Sequence, residues 1–256
     1  MEIRVLGAHS LETRDTRLAS LLIDGVLALD AGSLSSSLTL TEQKGLRAIL
    51  LTHRHFDHIR DLLTLGLATE HSGSVVVYSI EDTVNKLRLH YLNGELYPDF
   101  TQRPEPNRPK FHLKVVVPFE DMSLLGYTVV AVPVPHGAPA VGYQIASSSG
   151  RKLFYAGDTG QGLGTVWKKV SPDLIVVEVT FSNALKDVAL RTGHMTPSIL
   201  VQELQAFQAT HHYYPRVIAI HMTPYLEKDI RRELAEVSQA TGIEIMPAYE
   251  GLKLTI

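Results

Sequence analysis

The segment Thr52-His53-Arg54-His55-Phe56-Asp57-His58 packs three imidazoles and a carboxylate into the six positions from His53 to His58. In an extended chain, residues two apart point the same way, so His53 and His55 can address one cation. Asp57 and His58 come where the chain turns into an amphipathic run, and can face a second. Two cations held about 3.5–4 Å apart can clamp the attacking and leaving oxygens of a displacement, so the chemistry to expect is metal-assisted hydrolysis. A solvated loop has no reason to cluster so many imidazoles, and a core would be strained by them.

Further ligands must come from elsewhere in the chain. His136 follows the apolar run Val129–Val134, Asp158 follows Leu153-Phe154-Tyr155-Ala156, and His221 follows Val217-Ile218-Ala219-Ile220. A single histidine after a strand is ordinarily a polar loop residue, and a lone Gly-Asp-Thr is ordinarily a turn. The same placement three times over carries more weight than any one instance. The chain has no cysteine, so a metal must take nitrogen and oxygen ligands only. Such a set suits zinc first, with iron or manganese as alternatives.

The elements that must position these residues follow from the hydrophobic pattern. Met1 to Leu6 reads as a strand and Gly7 to Arg17 as a loop; Leu18–Ile23 and Val26–Leu29 read as a hairpin around Asp24-Gly25. Ser33 to Thr41 is helical or loop, and Arg47–Thr52 a buried strand that delivers the histidine-rich segment. Helices are expected over Ile59–His71, Ile80–Leu92, Thr196–Thr210 and Leu226–Gln239, with a short one near Val166–Val170. Further strands are expected at Ser74–Tyr78, His112–Val117, Tyr127–Val134, Val141–Ala146, Lys152–Ala156, Leu174–Val179 and Arg216–His221, with a last strand pair over Ile243–Ile256. Gln102–Lys110, with three prolines, reads as an irregular insertion loop rather than a linker. Strands mixed with helices and no break in composition predict one layered domain, residues 1–256.

Bulk properties narrow the function. The 256 residues are 45% hydrophobic and 20% charged, as in an ordinary globular protein. A net charge of -3 sets up no field that would draw in a polyanion. Charged residues appear at once in Met1-Glu2-Ile3-Arg4, no apolar run approaches membrane-spanning length, and a soluble, cytoplasmic protein is expected.

The pattern His-x-His-x-Asp-His, followed in order by isolated His, Asp and His and preceded by Leu29-Asp30-Ala31-Gly32, resembles the metallo-β-lactamase superfamily over nearly the whole chain. The resemblance implies an α+β fold, a four-layer αββα sandwich with two mixed sheets and two divalent metal ions at the sheet edges. It assigns His53, His55 and His136 to one metal, and Asp57, His58 and His221 to the other. Asp158 would bridge, and Asp30 would support the ligand loop without ligating.

Glu178-Val179-Thr180-Phe181 and Gly193-His194-Met195-Thr196 resemble a pairing of the phosphodiesterase branch, which includes tRNA 3′-end endonucleases and class II cyclic-nucleotide phosphodiesterases. The resemblance implies catalytic roles for His194, Glu178 and Asp57: His194 assists the leaving oxygen and Glu178 orients it. His136 and Asp158 are 22 positions apart, too few for the tRNA-gripping arm of the endonucleases. Leu87-Arg88-Leu89-His90-Tyr91-Leu92-Asn93-Gly94-Glu95-Leu96-Tyr97-Pro98-Asp99-Phe100 is similar to a segment of the cyclic-nucleotide enzymes. The expected activity is hydrolysis of 3′,5′-cyclic nucleotides, cAMP or cGMP, to 5′-monophosphates, the alternative being an RNase Z-like endonuclease or another phosphodiesterase. The expected partner is the small substrate rather than nucleic acid or membrane, and a homodimer stays open. Ala8-His9-Ser10 departs from the family's glycine-rich pair; His9 is a loop residue that could line the site. Tyr97, Phe100 and His211-His212-Tyr213-Tyr214 could stack on a base, although packing is their default role.

Overall fold

A computed structural model describes residues 1–256. Two seven-stranded mixed sheets face one another. From edge to edge the first runs Lys253–Thr255, Glu2–Gly7, Ser20–Ile23, Leu27–Leu29, Ala48–Leu50, Val75–Ser79 and Phe111–Val115. The second runs Ile245–Pro247, Arg216–Ile220, Leu174–Glu178, Lys152–Tyr155, Ala140–Ala146, Tyr127–Val134 and Asp121–Leu124. Three separate apolar cores define the layers. One lies between the sheets, with Val5, Leu21 and Leu50 from the first and Tyr143, Leu153 and Val176 from the second. Another packs the outer face of the second sheet against helices Pro197–His211 and Glu227–Thr241 through Phe207, Leu204 and Ile230. The third packs the outer face of the first against Leu62 and Leu65 of helix Leu62–Thr69. The architecture is therefore an αββα sandwich.

Local sequence accounts for much of this. Asp24 and Gly25 take left-handed conformations, φ 45° and 73°, as the tight hairpin between Ser20–Ile23 and Leu27–Leu29 requires. Leu174–Glu178 lies between two parallel neighbours and is buried throughout, which is why it reads as a continuous apolar run. Helix Pro197–His211 starts with proline in its first turn and is capped by Thr196, whose Oγ1 accepts from the Ile199 amide.

Several expectations need correction. The helix expected over Ile59–His71 is two helices, Phe56–Ile59 and Leu62–Thr69. Asp61 sits at the break: its amide donates to the Ala31 carbonyl and its carboxylate accepts from the Ser35 amide, tying the segment to the chain after Asp30. Ile80–Leu92 forms as helix Glu81–Lys86 followed by a wider π turn over Leu87–Tyr91. The last two strands are not a pair. Ile245–Pro247 joins the second sheet beside Arg216–Ile220, whereas Lys253–Thr255 crosses to the first beside Glu2–Gly7. Strand Asp121–Leu124 carries little signal in the sequence, because its hairpin turn places Leu125 at φ 53° before Gly126 at 86°, and leucine is no signal for a left-handed turn. Gln102–Lys110 is not wholly irregular: Pro104–Glu105 pairs with Arg108–Pro109.

Candidate active site

Ends of strands from both sheets meet at one rim of the sandwich. Ala48–Leu50 delivers His53, His55, Asp57 and His58 from the first sheet; His136, Asp158 and His221 follow Tyr127–Val134, Lys152–Tyr155 and Arg216–Ile220 of the second. Three groups form, each with its ligand-type atoms within 4.8 Å of one another; Glu178, His194 and His221 make one, and the other two are His53, His55, His136 and Asp158, and Asp57, His58, Asp158 and His221. Asp158 belongs to both of the latter two. Its Oδ1 lies 3.2 Å from His58 Nε2 and 3.5 Å from His221 Nε2, and its Oδ2 lies 3.9 Å from His53 Nε2.

The backbone is contorted where it delivers these groups. His221 (φ 60°) and Asp30 (φ 58°) are non-glycine residues in the left-handed region, a conformation that costs free energy and persists only where surrounding structure holds it. Gly157, before Asp158, is left-handed too (φ 62°), and a Cβ there would lie 2.7 Å from Thr52 Cγ2. The close approach of the two strand ends requires glycine.

Behind four of the five cluster imidazoles stands an acceptor that fixes the ring; the fifth, His55, turns its Nδ1 inward, 3.2 Å from His136 Nε2. Asp30 is fully buried; its Oδ1 accepts from the Thr52 amide at 2.8 Å, and its Oδ2 accepts from His58 Nδ1 and from the Tyr155 hydroxyl, both at 2.7 Å. Thr52 Oγ1 donates to Asp30 and so accepts from His53 Nδ1 at 3.0 Å. Thr180 Oγ1 donates to Glu178 Oε2 and accepts from His221 Nδ1 at 2.8 Å, while His136 Nδ1 donates to the Gly193 carbonyl at 3.0 Å. With those four Nδ1 atoms engaged outward, the Nε2 lone pairs of these imidazoles are left for the interior, the arrangement a metal-binding histidine needs.

That interior is polar yet unpartnered. His53 Nε2, His58 Nε2 and Asp158 Oδ1 are all buried without a well-aligned hydrogen bond, although the last two face one another at 3.2 Å. Orphaned donors and acceptors of this kind are costly unless something fills the space between them. Charge points the same way. Burial opposes a proton on His58, but Asp158, Asp30 and Asp57 around it push its pKa well up, so the pocket calls for positive charge. Burial, reinforced by His58, holds the His53 imidazole well below its usual value, and burial and His136 lower His55. Burial alone would raise Asp158; His221 and His58 instead keep its carboxyl strongly acidic. Imidazole nitrogens gathered around shared carboxylates are a donor set that fits divalent cations.

Glu178 and His194 adjoin the cluster. Glu178 is fully buried and receives the Thr159 amide and His194 Nδ1 on Oε1, and the Thr180 hydroxyl and Met195 amide on Oε2. His194 Nδ1 is 2.6 Å from Oε1, and its ring stacks on His221 with centroids 5.7 Å apart. Burial works against its imidazolium, but the Glu178 carboxylate overcomes this and pushes its pKa up to about 9. His194 follows Gly193, which ends helix Lys186–Thr192 in a left-handed conformation.

Other residues fall outside this group. His9 is 3% exposed, with Nδ1 2.6 Å from Glu250 Oε1 and Nε2 3.3 Å from Glu227, so it is a buried ion-pair partner rather than a loop side chain. Phe100 is buried against Gly66, His211 bonds the Trp167 carbonyl, and Tyr213 bonds the Pro172 carbonyl; these are packing residues. Tyr155 and Thr180 had no assigned role in the sequence. Thr180 lies two residues past Glu178, a spacing that could have marked it; Tyr155 lies in an apolar run and gives no such sign.

The sequence pattern of the Beta-lactamase superfamily domain matches residues 20–222. A probable 3′,5′-cyclic-nucleotide phosphodiesterase of Yersinia pestis is 27% identical over 237 residues, covering 82% of this chain and 68% of that protein. Among solved structures, unliganded yeast PDE1 superposes with a TM-score of 0.82 at 20% identity, covering 100% of this chain and 99% of that one. The short form of human tRNase Z, ELAC1, superposes with a TM-score of 0.68 at 18% identity, covering 100% and 99%. At these identities the structural likenesses speak to the fold.

Proposed function

The chain belongs to the beta-lactamase superfamily, and on that premise we propose that it is a dinuclear-metal phosphodiesterase that hydrolyses 3′,5′-cyclic nucleotides to 5′-monophosphates. The observation that carries this reading is the Glu178–His194 pair standing 2.6 Å apart beside the histidine–carboxylate cluster. The name of the Yersinia pestis relative supports the choice of substrate.

His53, His55 and His136 would hold one cation, and Asp57, His58 and His221 the other, with Asp158 shared. When bound, such a pair supplies Lewis-acid polarisation of the phosphoryl oxygens and lowers the pKa of water. The chain's own contribution is placement and a proton. Glu178 fixes the tautomer of His194 by accepting from Nδ1, which leaves Nε2 to carry the transferable proton. As water adds to phosphorus, releasing a proton to solvent, and the bond from phosphorus to the 3′-oxygen breaks, His194 Nε2 gives its own proton to the departing oxygen. Glu178, held by four donors, places its carboxylate against the imidazolium.

The span between His136 and Asp158 is occupied by strands Ala140–Ala146 and Lys152–Tyr155 and the turn that joins them, with no long arm for gripping RNA. The test is turnover of cAMP and cGMP by purified, metal-reconstituted protein. Formation of the 5′-monophosphate is expected; cleavage of a linear diester or a precursor tRNA with neither cyclic nucleotide turned over would overturn the reading.

A further inference from the structure

A cleft of about 730 Å³ lies beside the cluster rather than over it. Its walls are Val115–Pro118 at the edge of the first sheet, Pro133–Val141 from the second, and the start of helix Glu81–Lys86. His136 belongs both to this wall and to the histidine–carboxylate cluster. The Val141 amide donates to the Thr52 carbonyl at 3.1 Å, so the cleft floor is tied to the segment that delivers His53. Val115 and Val117 line the cleft while 48% and 53% exposed, apolar surface that nothing in the chain covers.

We propose that this cleft is the nucleobase subsite: with the phosphodiester at the cluster, a purine lies past His136 against Val115, Val117 and the flanking prolines. The proposal rests on the phosphodiesterase reading above and adds where the base goes and what selects it. The cleft has the volume of a small-molecule site, within the usual range of roughly 300–1,000 Å³. Pro118, Pro133, Pro135 and Pro139 stiffen its walls, so little ordering is required when a flat ring enters. At one end stand the carboxylates of Glu81 and Asp82, the latter paired with Arg54. The Glu81 carboxylate is free to accept a hydrogen bond from an amino edge and to repel an anion, which suits the base, while the Asp82 charge is already met by Arg54. The other cavity that His136 lines, about 410 Å³ with Gln161 and Arg191, has only Leu190 and Pro135 as apolar side chains and offers no such stacking wall.

The test compares two diesters on metal-loaded protein: cAMP, and the 3′,5′-cyclic phosphate of 1-O-methyl ribose, which has the same reacting phosphate and no base. Wild-type kcat/KM should favour cAMP by at least about tenfold. Val117→Asp, at a half-exposed position outside the catalytic group, should raise KM for cAMP at least about tenfold and leave the abasic diester within about twofold. Val115→Trp, which fills the cleft with apolar bulk, should show the same selectivity. Equal use of both diesters by the wild type, or variants that change both substrates in parallel or neither, would overturn the subsite while leaving the phosphodiesterase reading intact. Wild-type protein that cleaves neither diester would overturn that reading, and the subsite with it.

Discussion

Oε1 of Glu178 accepts from Nδ1 of His194 at 2.6 Å, and the same carboxylate reaches His221 through the Thr180 hydroxyl. One buried anion thus orients both the proposed acid and a proposed metal ligand, and substitutions should separate the two roles. His194→Ala should lower kcat by about 10²–10⁴ with metal content unchanged, as expected for loss of a general acid. Steady-state kinetics alongside elemental analysis checks this; unchanged turnover removes the assigned role.

Asp158 belongs to two of the three groups of side chains, so its loss should be felt by both. Asp158→Ala is expected to lose activity together with bound metal. A chelator should lower the melting temperature of the wild type and hardly move that of the variant, since an ion that binds only the folded state stabilises it by mass action. Retention of two tightly bound ions by the variant would show that Asp158 does not bridge.

Tyr155→Phe removes a hydroxyl that donates to buried Asp30 at 2.7 Å without opening a cavity. Hydrogen bonds to charged groups are worth about 1.5–3 kcal/mol, and chemical denaturation should register a loss of that size. Metal affinity should weaken by about 10–100-fold, because Asp30 also positions His58. Denaturation curves and metal titrations that match the wild type would exclude this supporting role.

Lys110 is 2% exposed, and its ammonium donates to the Gly73 carbonyl at 2.8 Å with no carboxylate partner. Burial lowers its pKa from 10.5 to about 8. Between those values the unfolded chain binds the proton that the folded chain has released, so this group makes stability rise with pH across the window from 8 to 10.5. Below it, folded and unfolded states are both protonated and the cost of burying the charge is present in full. The difference in unfolding free energy between wild type and Lys110→Met should therefore change across this window; a constant difference would refute the assignment.

How much could be read in advance depended on whether a role is local in sequence. His53, His55, Asp57 and His58 are legible because one short segment concentrates them, and His136, Asp158 and His221 because each repeats the same placement after an apolar run. The groups that hold them in place are legible only in space. Tyr155 looks like a core residue and is one, except for a hydroxyl that meets Asp30 across 125 positions of sequence. The layered fold follows from alternating strands and helices, but not the destination of the last strand. Nothing in Lys253–Thr255 says that it pairs with Glu2–Gly7 rather than with Ile245–Pro247.

That last strand has a consequence for how the molecule holds together. The first sheet takes its outermost strand from residues 253–255, after the whole second sheet has been traversed. A cut in the Val117–Glu120 connection would therefore leave an amino-terminal fragment lacking its edge and a carboxy-terminal fragment carrying an orphaned strand, with the proposed ligands divided between them. Neither fragment could build the rim alone, while the two mixed should reconstitute it. The chain is fastened like a clasp, and its chemistry becomes possible only once the clasp is shut.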